Sequence, residues 1–207
     1  MLKGIIFDFD GVIADSIQVK TNAFAELFSP SGLNIVNKII RHHEANGGLS
    51  RFEKIRYYYQ VFLKKSITDE KVNEIAKQFS SIVVEKVISA PYIPGVLEYI
   101  QNCESQYKLF ISTGTPTDEI IQILEEKKIS KYFTGVFGSP DKKTQHIQSI
   151  ISKYKIASDE LLFYGDSTID LDAAKAENIR FILIRNENNR NIKLESGAVI
   201  NNFFELF

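Results

Sequence analysis

Several features of secreted and membrane-bound proteins are missing from this 207-residue sequence. It has a single cysteine, Cys103, which excludes an internal disulfide and leaves no second thiol for a zinc site. No apolar run approaches the roughly 18 residues that a membrane-spanning helix needs. The chain opens directly in an apolar, strand-like segment, which differs from a signal peptide. We therefore expect a cytoplasmic protein in which Cys103 is a buried, space-filling residue.

The sequence also lacks an excess of charge of either sign. Lysine and arginine total 25 and aspartate and glutamate total 26, so the formal net charge is −1. This balance provides no basic surface for nucleic acid and no polybasic patch for a membrane. The length suits one α/β core with a modest insert. We therefore expect neither nucleic-acid nor membrane partners, and we expect a monomer.

The first fifteen residues hold the most informative pattern that is present. Residues 4–7 are small or apolar throughout, as in a strand that is covered on both faces. Asp8 and Asp10 follow at i and i+2, where like charges on one strand face repel each other. A cation between them, or a proton kept on one of them for acid chemistry, would explain such a pair. An ordinary turn at Asp10-Gly11, with no further role, is the alternative.

Residues 16–90 carry no strand pattern and form a helical block. Apolar residues recur in it at helical spacing, most clearly over residues 69–88, and prolines and glycines separate the segments. Residues 91–95, with two prolines and a glycine, are expected to return the chain to the rest of the fold. We therefore predict an inserted helical domain at 16–90 and a core domain made of residues 1–15 and 91–207.

Strands and helices alternate in the second half of the chain. The predicted strands lie at 108–112, 136–137, 161–164, 180–184 and 198–200. The predicted helices lie at 96–103, 117–127, 143–154 and 169–176, with a last helical turn at 202–207. This order predicts an α/β fold with a doubly wound, mostly parallel sheet.

Polar residues follow the predicted strands at the edge where such a sheet binds its ligand. Besides Asp8 and Asp10, they are found in residues 112–115, 138–143 and 165–170. Each group alone has an ordinary explanation as a helix cap, a turn or a solvated side chain. Their joint placement predicts one site.

The carboxylates in these groups predict phosphoryl transfer from a phosphomonoester. Asp8 is the expected nucleophile, giving an aspartyl-phosphate, and Asp10 the expected general acid and base. Asp8 and Asp166, with a backbone carbonyl near Asp10, would hold Mg²⁺, and Asp170 would hold a metal-bound water. We expect Asp8 to be ionised and the pKa of Asp10 to be raised.

Residues 7–16 resemble motif I of the haloacid dehalogenase superfamily, in its phosphoglycolate phosphatase and β-phosphoglucomutase-like branch. The resemblance assigns the nucleophile to Asp8 and the acid/base role to Asp10, and residues 165–174 resemble motif IV. Haloacid dehalogenases proper lack the second aspartate, because a halide leaving group needs no proton. The presence of Asp10 therefore favours phosphate chemistry, and the family implies a Rossmann-like core with a helical cap.

Three further residues are expected to bind the oxygens of the phosphoryl group. Lys143 would supply positive charge, and the Thr113 hydroxyl and the Gly114 amide would supply hydrogen bonds. Thr113 resembles the Ser/Thr of motif II, with Ser112 as the alternative. Lys143 resembles the lysine of motif III, with Lys142 as its rival.

The helical block resembles the cap that closes over the site in this superfamily and selects the substrate. Residues 46–51 read Asn-Gly-Gly-Leu-Ser-Arg and resemble a cap specificity loop, which places Gly48 and Arg51 in substrate binding. An N-cap at Ser50, with Glu53 completing a capping box, is a second interpretation, and both can hold.

Lys20, on the first cap helix, is expected to point toward the cleft. In β-phosphoglucomutases a histidine occupies the matching place, and this departure counts against a mutase. His42 and His43 are expected on the cap surface or in contacts within the cap rather than as ligands. At least one of the tyrosines at 57–59 is expected to contact the core domain.

These residues together favour a Mg²⁺-dependent phosphatase acting on a small phosphorylated metabolite, such as phosphoglycolate or a sugar phosphate. A sugar phosphomutase with the same chemistry is the first alternative. A non-catalytic binding protein that keeps the fold is the second. The sequence does not identify the substrate.

Overall fold

The computed structural model describes residues 1–195 and 197–207. The first strand, which is followed by Asp8 and Asp10, lies at the centre of a parallel sheet. The strands are β1 (Gly4–Phe7), β2 (Lys108–Pro116), β3 (Gly135–Ser139), β4 (Leu161–Gly165), β5 (Arg180–Ile184) and β6 (Ala198–Ile200). In the described part of the chain they form one six-stranded sheet in the order β3-β2-β1-β4-β5-β6, with every pair parallel. The predicted doubly wound α/β fold is confirmed.

The central strand is apolar throughout because both faces of the sheet are covered. Ile5 and Phe7 point into one apolar cluster, and Ile6 points into a second cluster on the opposite face. Alternate side chains of a strand face opposite sides, so a strand buried on both sides must be apolar at every position. The uniform apolar run therefore correctly indicated a central strand.

The α-helices between β1 and residue 90 form the helical block, which we call the cap. Its α-helices are α1 (Ile17–Leu27), α2 (Leu33–Ala45), α3 (Arg51–Tyr57) and α4 (Asp69–Ser89), and a π-helical turn, Tyr58–Phe62, continues α3. Phe24 packs against Tyr58 and Phe79, with ring centroids 5.4 and 4.3 Å away. Tyr58 is buried, and its ring also packs against Phe28 and Phe62 of the same block. The expected contact of at least one of the three tyrosines with the core domain stays a prediction.

Helices alternate with strands in the rest of the chain, as predicted. They are α5 (Val96–Cys103), α6 (Thr117–Glu126), α7 (Lys143–Tyr154) and α8 (Thr168–Ala176). Cys103 is buried and free. None of the helices in residues 1–195 or 197–207 has the length and apolarity required to cross a membrane.

One strand is longer than its apolar run indicated. The sequence placed the end of β2 at Ser112, but the strand continues to Pro116. Its pairing with β3 shifts register between Ser112 and Pro116, where pairing resumes with Ser139. The predicted motif residue Thr113 therefore lies within a strand rather than in a loop after it.

Two linkers join the helical block to the core, and they run antiparallel at the bridge between Ala14 and Tyr92. The Asp15 amide donates to the Pro91 carbonyl and the Ile93 amide to the Ile13 carbonyl, each at 2.9 Å. The Lys127 ammonium donates to the carbonyls of Ile88 and Ala90, at 2.9 and 2.8 Å. The two Lys127 bonds satisfy carbonyl groups at the carboxyl end of α4 and hold this end of the helix to the core.

Candidate active site

Three buried carboxylates meet at the carboxyl end of the sheet. Asp8 directly follows β1, and Asp166 and Asp170 follow β4, the strand beside it. Phe7 pairs with Tyr164, and the Asp8 amide donates to the Tyr164 carbonyl at 2.9 Å, so the two strand ends lie at one level. Carboxylate oxygens of the three aspartates lie within 4.8 Å of one another.

Crowded, buried carboxyl groups hold their protons more tightly than free ones. Burial raises the pKa of Asp8 to about 7, the charges of Asp170 and Asp10 add to this, and Lys143 opposes it. Burial and the neighbouring Asp8 raise the pKa of Asp166 well above its usual value. Full ionisation of Asp8 at neutral pH, as we expected, therefore needs a further cation in addition to Lys143. The oxygen-only donor set fits a hard divalent metal ion.

Asp10 lies in different surroundings from Asp8. Its carboxylate accepts hydrogen bonds from the Ser16 hydroxyl, at 2.6 Å, and from the Lys20 ammonium, which also donates to the Thr115 hydroxyl at 2.7 Å. Burial favours the protonated form, but Lys20 and Ser16 outweigh it and lower the pKa of Asp10 below its usual value. The raised pKa predicted for Asp10 is wrong, because Lys20 reaches this carboxylate directly.

The two candidate lysines of the third motif occupy different places. Lys143 is 4 % exposed, and its ammonium lies 2.9 Å from Asp8 Oδ2 and also pairs with Asp170. Burial lowers the pKa of Lys143, but the two aspartates outweigh it and raise that pKa above its usual value. Lys142 is exposed at the start of α7. The structure therefore brings Lys143, and not Lys142, to the carboxylates.

The carboxylate of Asp170 is engaged on both of its oxygens. Oδ1 accepts from Lys143, and Oδ2 accepts from the Ser167 hydroxyl at 2.6 Å and the Ser167 amide at 3.0 Å. These bonds also cap the first turn of α8. Asp170 is thus held between Lys143 and the helix start, within the carboxylate cluster.

The hydroxyls of the second motif point to different sides. Thr113 is buried and lines the cavity beside the carboxylates. The Ser112 hydroxyl instead bonds His146 Nδ1 at 2.9 Å, within the core. Next in the chain, Gly114 touches the cap, since a Cβ built there would lie 2.5 Å from the Gly48 carbonyl oxygen. Thr113 is therefore the hydroxyl that faces the site.

The glycine loop of the cap lies directly over the core residues of the site. A Cβ on Gly48 would lie 3.1 Å from Lys143 Nζ, and one on Gly47 would lie 3.2 Å from Ser167 Cβ. Gly48 has a φ of +79°, which a residue with a side chain rarely adopts. The Ser50 hydroxyl accepts from the Glu53 amide, so the loop also begins α3 with the expected cap.

Arg51 follows this loop but bonds to protein groups. Its guanidinium is 4 % exposed and forms a two-armed ion pair with Glu119 of α6. It also donates to the Ser80 hydroxyl at 2.6 Å and lies 4.7 Å from the centre of the Phe79 ring. Arg51 lines the cavity while joining cap to core. Its predicted contact with substrate stays a prediction.

Two asparagines after β5, which the sequence analysis missed, hold Asp166 in place. Asn186 donates to Asp166 Oδ2 at 2.9 Å, and Asn189 donates to the Asp166 carbonyl at 2.8 Å. They follow the carboxyl end of a strand, the position that identified the other site residues. Their signal was present in the sequence, but amides without a charge did not stand out.

Cap and core together enclose a cavity of about 160 Å³ at these residues. Asp8, Asp10 and Asp166 line it from the core, and Lys20 lines it from the cap, as expected. Lys54 also lines it, beside His43, which is buried and contacts Lys54 within the cap, one of the two places expected for this histidine. Lys54 was not recognisable from its sequence position, because a lysine in an amphipathic helix ordinarily faces water.

Comparison with known proteins shows what this chain is similar to. Residues 5–184 match the family described as Haloacid dehalogenase-like hydrolase. A phosphoglycolate phosphatase of Mesorhizobium japonicum is 25 % identical over 210 residues, which cover 96 % of this chain and 90 % of that protein. The fold is similar to that of a β-phosphoglucomutase from Clostridium difficile, with a TM-score of 0.82 at 20 % identity and coverage of 100 % and 94 %. It is also similar to a predicted phosphoglycolate phosphatase from Haemophilus somnus, with a TM-score of 0.78 at 19 % identity and coverage of 99 % and 96 %.

Proposed function

The chain belongs to the haloacid dehalogenase-like hydrolase family, and we propose that it is a Mg²⁺-dependent phosphatase of a small phosphorylated metabolite. The observation that carries this proposal is the unequal setting of Asp8 and Asp10. Asp8 faces Lys143 and Asp166, whereas Asp10 faces Lys20 and Ser16. This difference supports attack by Asp8 and proton transfer by Asp10, the two roles that hydrolysis through an aspartyl-phosphate requires.

The first half of the reaction would use residues on both sides of the cavity. Asp8 attacks phosphorus, while Lys143, the Thr113 hydroxyl and the Gly114 amide bind the phosphoryl oxygens. Asp8, Asp166 and the Asp10 carbonyl would hold Mg²⁺, which would neutralise charge between the nucleophile and the phosphoryl group. Asp170, which accepts a hydrogen bond from Lys143, would hold a metal-bound water in the same cluster.

Asp10 would transfer the proton in both halves of the reaction. In the free protein Lys20 favours its carboxylate form, which suits acceptance of a proton from the water that hydrolyses the aspartyl-phosphate. A dianionic phosphate bound nearby raises the pKa of a carboxyl group. Substrate binding would therefore favour the protonated Asp10 that protonates the leaving oxygen.

The dimensions of the cavity favour a substrate of few carbon atoms. A cavity of about 150 Å³ holds a ligand the size of benzene, and the cavity here is about 160 Å³. A two-carbon phosphorylated acid of the phosphoglycolate type fits this space better than a sugar phosphate. The curated relative is named a phosphoglycolate phosphatase, which agrees with this preference.

A panel of phosphomonoesters with Mg²⁺, assayed for released phosphate, tests the proposal. We expect release by the wild type and a loss of about 10⁴-fold or more in Asp8→Asn, because the nucleophile is removed. Asp159→Asn, at an exposed aspartate, is the matched control and should match the wild type. Equal rates in the wild type and Asp8→Asn would reject the enzyme, in favour of the non-catalytic alternative.

The phosphomutase alternative needs its own assay. A coupled assay for sugar-phosphate isomerisation, with and without a sugar bisphosphate, distinguishes it from hydrolysis. We expect no isomerisation, since Lys20 pairs with Asp10 where mutases carry a histidine. Bisphosphate-stimulated isomerisation that exceeds phosphate release would favour the mutase.

A further inference from the structure

Lys54 is a buried cation that the proposed chemistry does not use. It lies on α3 in the cap, is 3 % exposed, and lines the cavity. Its ammonium lies 2.9 Å from His43 Nδ1. In its ammonium form Lys54 can only donate, so Nδ1 then accepts and the ring proton of His43 is on Nε2.

The other buried cations around the cavity all have a carboxylate partner. Lys20 pairs with Asp10, Arg51 with Glu119, and Lys143 with Asp8 and Asp170. No ion pair among residues 1–195 and 197–207 includes Lys54, although Glu44 lines the same cavity. A buried charge without a counter-charge is costly unless a ligand supplies one.

The electrostatic surroundings of Lys54 agree with this imbalance. Burial and the charge of Lys20 lower the pKa of Lys54 to about 7, while Asp10 and Asp166 oppose this from a distance. Burial and Lys54 also lower the pKa of His43 well below its usual value, so the imidazole is neutral. An anion beside Lys54 would restore its charge, and the histidine contributes no charge that would compete.

We infer that Lys54 binds a second anionic group of the substrate, so that the substrate is a phosphomonoester carrying a carboxylate or a second phosphate. This inference rests on the proposed function and specifies its substrate class. Within residues 1–195 and 197–207, Asp166 on the core side has no cation partner and Lys54 on the cap side has no anion partner. A substrate with an anionic group at each end, together with a metal ion at the core end, would supply both.

Three phosphomonoesters that share a two-carbon backbone test the inference: 2-phosphoglycolate, ethane-1,2-diol bisphosphate and 2-hydroxyethyl phosphate, whose second end is uncharged. Wild type, Lys54→Met and Lys38→Met are compared with Mg²⁺; Lys38 is an exposed cap lysine and serves as the control. We expect Lys54→Met to lose about 10- to 100-fold in kcat/KM on an anionic compound, mainly through KM. Hydrolysis of 2-hydroxyethyl phosphate should change by less than about threefold.

The two anionic compounds distinguish a carboxylate from a phosphate. The one whose hydrolysis depends more strongly on Lys54 identifies the group that Lys54 binds. An equal loss on all three compounds, or a wild type without preference for an anionic tail, would overturn the inference.

A stability measurement gives a readout besides activity. Replacing a buried, uncompensated ammonium by an apolar side chain of similar length should raise the Tm of the ligand-free protein by roughly 2–4 °C. The variant that loses selectivity is thus expected to be the more stable one. An unchanged or lower Tm would contradict the absence of a counter-charge.

Binding separates this inference from the proposed function. If the wild type hydrolyses no phosphomonoester, the proposed function fails, but calorimetric titration with the same three compounds and Mg²⁺ still reports on Lys54. Tighter binding of an anionic compound by the wild type than by Lys54→Met would support the inference. Equal binding by the two proteins would reject it.

Discussion

At the residue scale, neighbouring charges decide the state of each carboxyl group more than sequence position does. Asp8 is buried and Asp10, two residues later, is half-buried, yet their pKa values shift in opposite directions. Asp8 is among other carboxylates, whereas Asp10 is paired with Lys20. The sequence identified the two residues but not these partners, because Lys20 reaches Asp10 only once α1 folds over the sheet.

Lys143 is expected to be essential, whereas its neighbour Lys142 is not. Lys143→Met removes the cation beside Asp8 and Asp170, and kcat should fall by about 10²- to 10³-fold. Lys142→Met, which changes an exposed side chain, is the matched control and should stay within about twofold. Steady-state kinetics measure both. A similar loss in the two variants would exclude Lys143 as the specific phosphate-binding lysine.

Asp10→Asn should separate metal binding from proton transfer. The metal would contact the main chain at Asp10, so calorimetry should show Mg²⁺ binding close to that of the wild type. Turnover should fall by about 10²- to 10⁴-fold, because the amide cannot exchange a proton with the leaving oxygen or water. Full activity in this variant would rule out the acid/base assignment.

His146 is expected to make folding stability depend on pH. Burial and the charge of Lys143 lower the pKa of His146 from its ordinary value of 6.5 to about 4. Hydrogen bonds to the main chain of Gly138 and Asp141, and the charge of Asp141, oppose this shift. The folded state therefore prefers the neutral ring. The contribution of the neutral His146 ring to the free energy of unfolding is complete above about pH 6.5. As the pH falls toward 4, the free energy of unfolding decreases by roughly 3 kcal/mol through this residue.

Urea unfolding of the wild type and His146→Gln at pH 7.5 and 4.5 measures this contribution. The carboxylates titrate in both proteins, so the difference between the two pH dependences isolates the histidine. The free energy of unfolding should fall less in the variant than in the wild type. Identical pH dependences would show that His146 has an ordinary pKa.

At the scale of elements, α3 and α6 are joined across the cap–core boundary by Arg51 and Glu119. If Arg51 acts through this pair, Arg51→Met and Glu119→Gln should change KM by similar factors. The double variant should then be no worse than either single one, because the interaction is already lost. If Arg51 binds substrate directly, Arg51→Met should raise KM far more than Glu119→Gln. Steady-state kinetics of the three variants distinguish the two roles.

The elements themselves were largely predictable from apolar spacing. The buried run 4–7 and the long helical pattern over residues 69–88 gave β1 and α4 nearly to the residue. The end of β2 was missed because residues 113–116 lack the apolar pattern of a strand, and only the folded sheet shows that Pro116 pairs with Ser139 of β3. Lys54 was missed because only the packed fold shows which side of α3 faces the cavity.

At the scale of the whole molecule, metal binding should be visible as stability. A ligand that binds only the folded state stabilises it by RT ln(1 + [L]/Kd), about 2.7 kcal/mol at 100 times Kd. Saturating Mg²⁺ should therefore raise the Tm of the wild type by roughly 5–10 °C. Ca²⁺ and a chelator provide the comparison in the same thermal scan.

Asp166→Asn is the matched variant for this measurement. It should be more stable than the wild type without metal, because one of three crowded carboxylates is gone, and its Tm should respond little to Mg²⁺. A Tm increase equal to that of the wild type would place the metal elsewhere.

The contact between Gly48 and Gly114 has a consequence for how this protein can change over evolutionary time. Cap and core meet there through main-chain atoms, with no room for a Cβ on Gly114. This contact needs glycine at positions 48 and 114, but it does not depend on which residues surround the substrate. A lineage can therefore exchange the cap residues at positions 20, 43 and 54 and acquire a new substrate preference while the closure of the site is inherited unchanged.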